Sequence, residues 1–149
     1  MEPVTSPRSC DHTSVGVLIY NHNHELLLIE RATFPFGLAP VAGHVDQHAS
    51  YEDAAIAEAR EEVGLEITDL CLVAEGRQEN PCRRVNGSWH YWKVYKARAT
   101  GAVQLNRREA TRAEWCDRRR LKELGLVSDE ENQDSPDFLK EVWLGARRR

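Results

Sequence analysis

No run of about 18 or more apolar residues occurs in the sequence, and no basic segment followed by an apolar core opens it. Neither a bilayer-spanning helix nor a secretory leader is therefore expected. Cysteine is sparse and dispersed: Cys10, Cys71, Cys82 and Cys116 include no CxxC pair. That spacing argues against a recognisable zinc module. Without an export signal the four read as reduced thiols of an intracellular, cytoplasmic protein. A broad basic face is also missing. Twenty Lys and Arg stand against 24 Asp and Glu, for a formal net charge of −4. Arginines crowd only 118–120 and 147–149, which read as solvated charge, so extended nucleic acid is not an expected partner. No repeat or low-complexity segment points to a solenoid or a linker.

What remains is the composition of one soluble globular domain: 149 residues, 41% hydrophobic and 30% charged, too short for a second catalytic domain. Residues 1–12 read as a flexible N-terminal segment and 13–149 as a single domain. VGVLIY from Val15 and the later ELLLIER are separated by NHNH, which predicts a hairpin whose near-continuous apolar runs need cover on both faces. FPFGLAPVAGHVD is broken by Pro35 and Pro40 and is expected to be a structured loop packed on the domain. Tyr51–Val63 reads as a helix, capped by Ser50 and stopped by Gly64. Strands are expected at Leu70–Ala74, Trp89–Ala97 and Thr111–Cys116, a turn or short helix at Leu121–Leu124, and a final helix at Pro136–Leu144. This order predicts an α+β fold with a mixed sheet. Hydrophobic edge strands and the last helix leave a homodimer open.

On a helix at about 100° per residue, Glu58, Glu61 and Glu62 share an arc of about 100°, while Ile56, Ala59 and Val63 lie on the other side. Ala54 adds little bulk one turn above Glu58. Three like charges so spaced repel one another, and near a helix C-terminus the macrodipole adds to the penalty. Arg60 points away and offers no relief. A hard divalent cation, Mg²⁺ or Mn²⁺, turns that repulsion into coordination and leaves positions for substrate phosphates. Just upstream, Ala42-Gly43-His44-Val45-Asp46 offers a residue without Cβ where the backbone adopts positive φ or a ligand approaches closely, and amides in such a turn suit a phosphate.

At these spacings the chain resembles the Nudix (MutT-like) hydrolases. The family pattern is Gly, five residues, Glu, seven residues, Arg-Glu, an apolar residue, any residue, Glu-Glu, any residue, Gly and an apolar residue. It aligns without a gap on Gly43 to Leu65, GHVDQHASYEDAAIAEAREEVGL. Gly43, Glu58, Glu61, Glu62, Gly64 and Leu65 match, and Ala59 is small and apolar. Two positions depart: the first Glu falls on Ala49 and the Arg on Ala57. The order of elements around the box is similar too, which implies a Nudix-type α/β/α sandwich.

The resemblance implies Mg²⁺- or Mn²⁺-dependent hydrolysis of a nucleoside diphosphate linked to another group, by water attack on phosphorus. Glu58, Glu61 and Glu62 would be both metal ligands and catalytic residues. The backbone at Ala42 and Gly43 would help place the diphosphate, with Glu109, Glu114 or Glu79 as candidate general bases. Among substrate contacts, His44 is a candidate, Arg83 and Arg84 could meet terminal phosphates, and Trp89 could stack on a base. His44, Asp46 and His48 alternate as H-x-D-x-H, but a separate metal site in that turn is not favoured. Pro81 lies about sixteen residues beyond the box, as in relatives acting on ADP-ribose. The alternative implied by Ala49 and Ala57 is a Nudix-fold nucleotide-binding or regulatory protein with weak or no catalysis.

Overall fold

The computed structural model describes residues 9–33, 36–79, 81–82 and 84–126. The expected helix at 136–144, the arginines 147–149, Pro35 and Arg83 lie outside them.

The hairpin forms as expected, β1 over Thr13–Tyr20 and β2 over Leu26–Arg31. The Pro/Gly segment departs from its expected loop and supplies two short strands, β3 at Gly37–Ala39 and β4 at Val41–His44, with Pro40 between them. Strands this short have little intrinsic preference. What makes them strands is the neighbour: β3 pairs antiparallel with β2, and β4 pairs antiparallel with Ser14–Val17 of β1. Three longer strands complete the sheet, β5 at Ile67–Gln78, β6 at His90–Ala99 and β7 at Ala110–Cys116. β6 runs parallel to β1 from Thr13↔Tyr91 to Tyr20↔Arg98, while β5 pairs antiparallel with β6 and β7 with β2. The sheet is thus mixed.

Side-chain alternation along β1 and β2 feeds two cores. Val15, Val17, Ile19, Leu27 and Ile29 point to one face, where helix α1, Tyr51–Val63, buries Ala54, Ala55, Ala59 and Val63. Leu18, Tyr20, Leu26 and Leu28 point to the other face, closed by Leu121 of a short helix α2, Arg118–Glu123, and by Leu126. Helices on both faces of a mixed sheet make an α/β/α sandwich. Among the described residues no helix is long and apolar enough to cross a membrane.

α1 starts where the Ser50 hydroxyl accepts from the Asp53 amide at 3.0 Å, satisfying one orphan donor. It ends at Gly64, whose φ of 68° suits a residue without Cβ. Its alanines let it approach the sheet closely. The same alternation places Val41 with the α1 core and Ala42 with the α2 core, so Gly43 faces α1 and His44 faces away from it.

Candidate active site

The carboxylates and Gly43 come together where α1 crosses β4. A Cβ on Gly43 would overlap the carboxyl of Glu58, so the missing side chain is the space that carboxyl occupies. φ at Gly43 is not positive. The close approach at this glycine is that of the Glu58 side chain.

Glu62 is only 4% exposed, and its Oε1 has no hydrogen-bond partner among the described residues. Its carboxyl faces that of Glu58, and the two acids act on one another. Burial is the main reason the Glu62 carboxyl is pushed well above the usual carboxylate range; the Glu58 hydrogen bond and charge add to this and Arg31 opposes it. Glu58 is pushed up chiefly by burial as well. Its hydrogen bond to Glu62 opposes this, Glu61 and Glu109 add repulsion, and His48 eases it. Glu61 is exposed on the rim. The simple picture of an acidic arc turned away from the core is therefore refined: Glu62 enters the buried side of α1, and Glu61 stays in solvent.

Two groups near these acids come from other elements. Glu109 approaches because the loop before β7 wraps the end of α1, with Asn106 and Gln104 amides donating to the Glu62 and Val63 carbonyls at 3.0 and 2.8 Å. The Glu109 carbonyl in turn accepts from the Ala32 amide at 2.9 Å. Arg31, the last residue of β2, brings the cation that acts on Glu62, and its Nε is buried without a hydrogen-bond partner among the described residues. Nothing in the spacing of the box points to Arg31. The only sequence signal is negative, the alanine at 57 where the family pattern carries arginine. Arg60 does not fill that place, since it pairs with Glu66 at 2.7 Å beyond the helix end.

The other two candidate bases are engaged elsewhere. Glu79 pairs with Arg77 at 2.8 Å. Glu114 is held at 2.6 Å by Arg120, with Arg112 at 3.4 Å, and the Arg120 hydrogen bond keeps its carboxyl below the usual range. A depressed folded-state pKa gives stability that is present above the unfolded value and disappears as pH falls through the folded one. Glu114→Gln is expected to cause a small stability loss at neutral pH, closing in acid, in urea unfolding at both pH values, and to leave turnover unchanged.

Of the residues expected to contact substrate, Arg84 binds the Asp46 carboxylate through two hydrogen bonds, Nη2–Oδ2 being 3.0 Å. Trp89 stacks on His12 with ring centroids 3.9 Å apart and carries Arg77 over its ring at 4.1 Å. His44 lies in a second cluster, with Cys10, Cys82 and His90, in which one donor atom from each residue lies within 4.8 Å of every other. Dispersal in sequence thus hid a spatial grouping of two of the four cysteines. All four are free thiols. Burial, with the Arg84 charge adding to it, lowers the His44 pKa to about 4, so the ring is neutral at physiological pH.

A family model described as the NUDIX domain matches residues 11–141. No match was found among curated protein sequences. Solved structures do match. A NUDIX-family hydrolase from Clostridium perfringens is 19% identical, with 91% of this chain and 95% of that one covered and a TM-score of 0.67. The NUDIX domain of Shewanella oneidensis NrtR, crystallised with ADP ribose, is 18% identical over 100% and 93%, with a TM-score of 0.62. A C. elegans Ap4A hydrolase is 23% identical over 87% and 93%, with a TM-score of 0.59. At these identities the likeness is one of fold.

Proposed function

The chain belongs to the NUDIX domain family, and on that premise we propose that it hydrolyses a nucleoside diphosphate linked to another group, using Mg²⁺ or Mn²⁺ held by Glu58, Glu61 and Glu62. Family and fold support hydrolysis of a phosphate-bearing substrate in general. One observation carries the finer reading: a buried Glu62 with an unpartnered Oε1, facing a Glu58 carboxyl that fills the space left by Gly43. An acceptor-rich pocket with an orphaned oxygen fits a hard divalent cation, whereas leaving that oxygen unpaired costs about 1–3 kcal/mol.

Glu58, Glu61 and Glu62 would hold the cation, which when bound would neutralise phosphate charge and lower the pKa of a bound water. The chain's own residues do the rest. Glu62 and Glu58 are fixed by burial, so their oxygens need no reorganisation when substrate arrives. The backbone at Ala42 and Gly43 places the diphosphate beside them. Glu109, which has no arginine partner among the described residues, accepts the proton of the attacking water. Arg31 holds the charge balance at Glu62 in place of the arginine absent at Ala57. Arg84 and Trp89 reach nucleotide only by exchanging their present partners, and Arg83 is proposed as a further phosphate contact.

Ala49 and Ala57 favour a second reading, a nucleotide-binding protein without turnover. The two are separated by a panel of nucleoside triphosphates, ADP-ribose, dinucleoside polyphosphates and nucleotide sugars, assayed with Mg²⁺, Mn²⁺ or EDTA. ADP-ribose and Ap4A belong in it because the similar folds above carry those names. Turnover of one class, abolished by EDTA and restored by Mg²⁺ alone, is expected. Tight binding of a panel member with no product formed under any metal would overturn the catalytic reading.

A further inference from the structure

We propose that Cys10, His44, Cys82 and His90 form a structural zinc site on the face of the sheet opposite the carboxylates. The sheet register brings two of the four residues, His44 and His90, to the start of β1. β4 ends at His44 beside Ser14, β6 starts at His90, and Thr13 of β1 is paired with Tyr91. Cys10 stands just before β1, where its amide donates to the Val85 carbonyl at 2.8 Å and Ser9 bridges to Val85. That contact draws in the loop bearing Cys82.

Burial, with Cys82 adding to it, pushes the Cys10 thiol up in the metal-free chain, and the backbone opposes this. The His12 amide donates to Cys10 Sγ at 3.3 Å and the Arg84 amide to Cys82 Sγ at 3.4 Å, each from two residues downstream. Amides directed at sulfur favour the anionic form that a metal requires. The Cys82 turn is closed by its amide on the Gly87 carbonyl at 2.7 Å and by the Gly87 amide on the Arg84 carbonyl at 3.1 Å. A Cβ on Gly87 would overlap Cys82 Sγ and lie 2.9 Å from the Arg84 carbonyl, so only glycine closes the turn this tightly. His44 Nε2 is buried and has no hydrogen-bond partner among the described residues, and the His44 and His90 rings meet edge to face at 5.4 Å.

Two sulfurs and two imidazoles select zinc over the hard cations that suit Glu58 and Glu62. A zinc tetrahedron with Zn–S of about 2.3 Å and Zn–N of about 2.0 Å has edges of roughly 3.3–3.8 Å. The donors, within 4.8 Å of one another, need close by no more than about 1–1.5 Å. Four protein ligands leave no open position, so the site is structural. It clamps the lead-in at Cys10, the end of β4 and the start of β6, and it fixes His44, the neighbour of Gly43.

The test is metal content and cobalt spectroscopy of the full chain. Purified protein, dialysed against buffer containing Mg²⁺, is expected to retain one zinc per chain. Metal-free protein titrated with Co²⁺ should develop the visible bands of a tetrahedral ion together with a sulfur-to-cobalt charge-transfer band. Cys82→Ser should lose the zinc, while Cys71→Ser, which alters an exposed thiol outside the cluster, should keep it. Glu58→Gln should keep it too, which separates this site from the catalytic proposal: loss of turnover in Glu58→Gln with zinc retained is expected if both readings hold. Zinc absent from the wild type with an octahedral cobalt spectrum, or zinc equal in wild type and Cys82→Ser, would overturn the site. So would a non-reducing peptide map that joins Cys10 to Cys82, because the two sulfurs would then be a disulfide.

Discussion

Glu62→Gln is expected to lower Mg²⁺-dependent turnover by roughly 100-fold or more, beyond the 10–100-fold range for residues that merely support metal ligands. In the presence of EDTA it is expected to leave the fold at least as stable as the wild type. The two effects have one cause. Glu62 is 4% exposed and faces a second carboxyl, so its charged form is disfavoured by burial unless a cation is bound, and a neutral amide avoids that cost. The amide is nearly isosteric and can still bond to Glu58, which keeps the packing intact. Residual binding of Mg²⁺, read by the rise in melting temperature on adding the ion, should fall with turnover. A variant that lost stability in EDTA but kept turnover would assign Glu62 to packing and leave the metal to other groups.

The same opposition between folding and function explains which parts of the chain could be read in advance. α1 was legible because its signals are local: a serine cap, apolar positions at helical spacing and a stop glycine lie within Ser50–Gly64. β1 and β2 were legible because alternating residues are apolar for both cores. β3 and β4 were not, since Gly37 and Pro40 weaken local preference and the ladder comes from β1 and β2. Within the candidate active site the acids on one helix were visible by spacing, but the depth of Glu62 was not, because periodicity gives direction around a helix and says little about how closely the sheet approaches. Arg31 and Glu109 reach that site from a strand end and a later loop. The Cys/His cluster is the extreme case. Its members at 10, 44, 82 and 90 come from four stretches that the parallel pairing of β1 with β6, the antiparallel pairing of β1 with β4 and the contact of Ser9 and Cys10 with Val85 bring together.

Gly43→Ala is expected to remove most of the turnover by moving one carboxyl, with a stability cost no larger than about 1–3 kcal/mol for a small overpacking. Position 43 lies in a strand, paired with Val15, and its φ is not positive. Alanine therefore meets no backbone strain there and gains about 0.5–1 kcal/mol over glycine from reduced chain entropy. The conflict is entirely with Glu58, whose carboxyl the new methyl would overlap. A side-chain rotation relieves it and carries the carboxyl away from Glu62. Because Gly43→Ala and Glu58→Gln then damage the same group, the double variant should be hardly slower than the worse single one, whereas independent lesions would multiply. Measuring kcat/KM for the two single variants and the double variant closes the cycle. Multiplicative losses would mean that Gly43 acts through its backbone on the substrate and not through the Glu58 carboxyl.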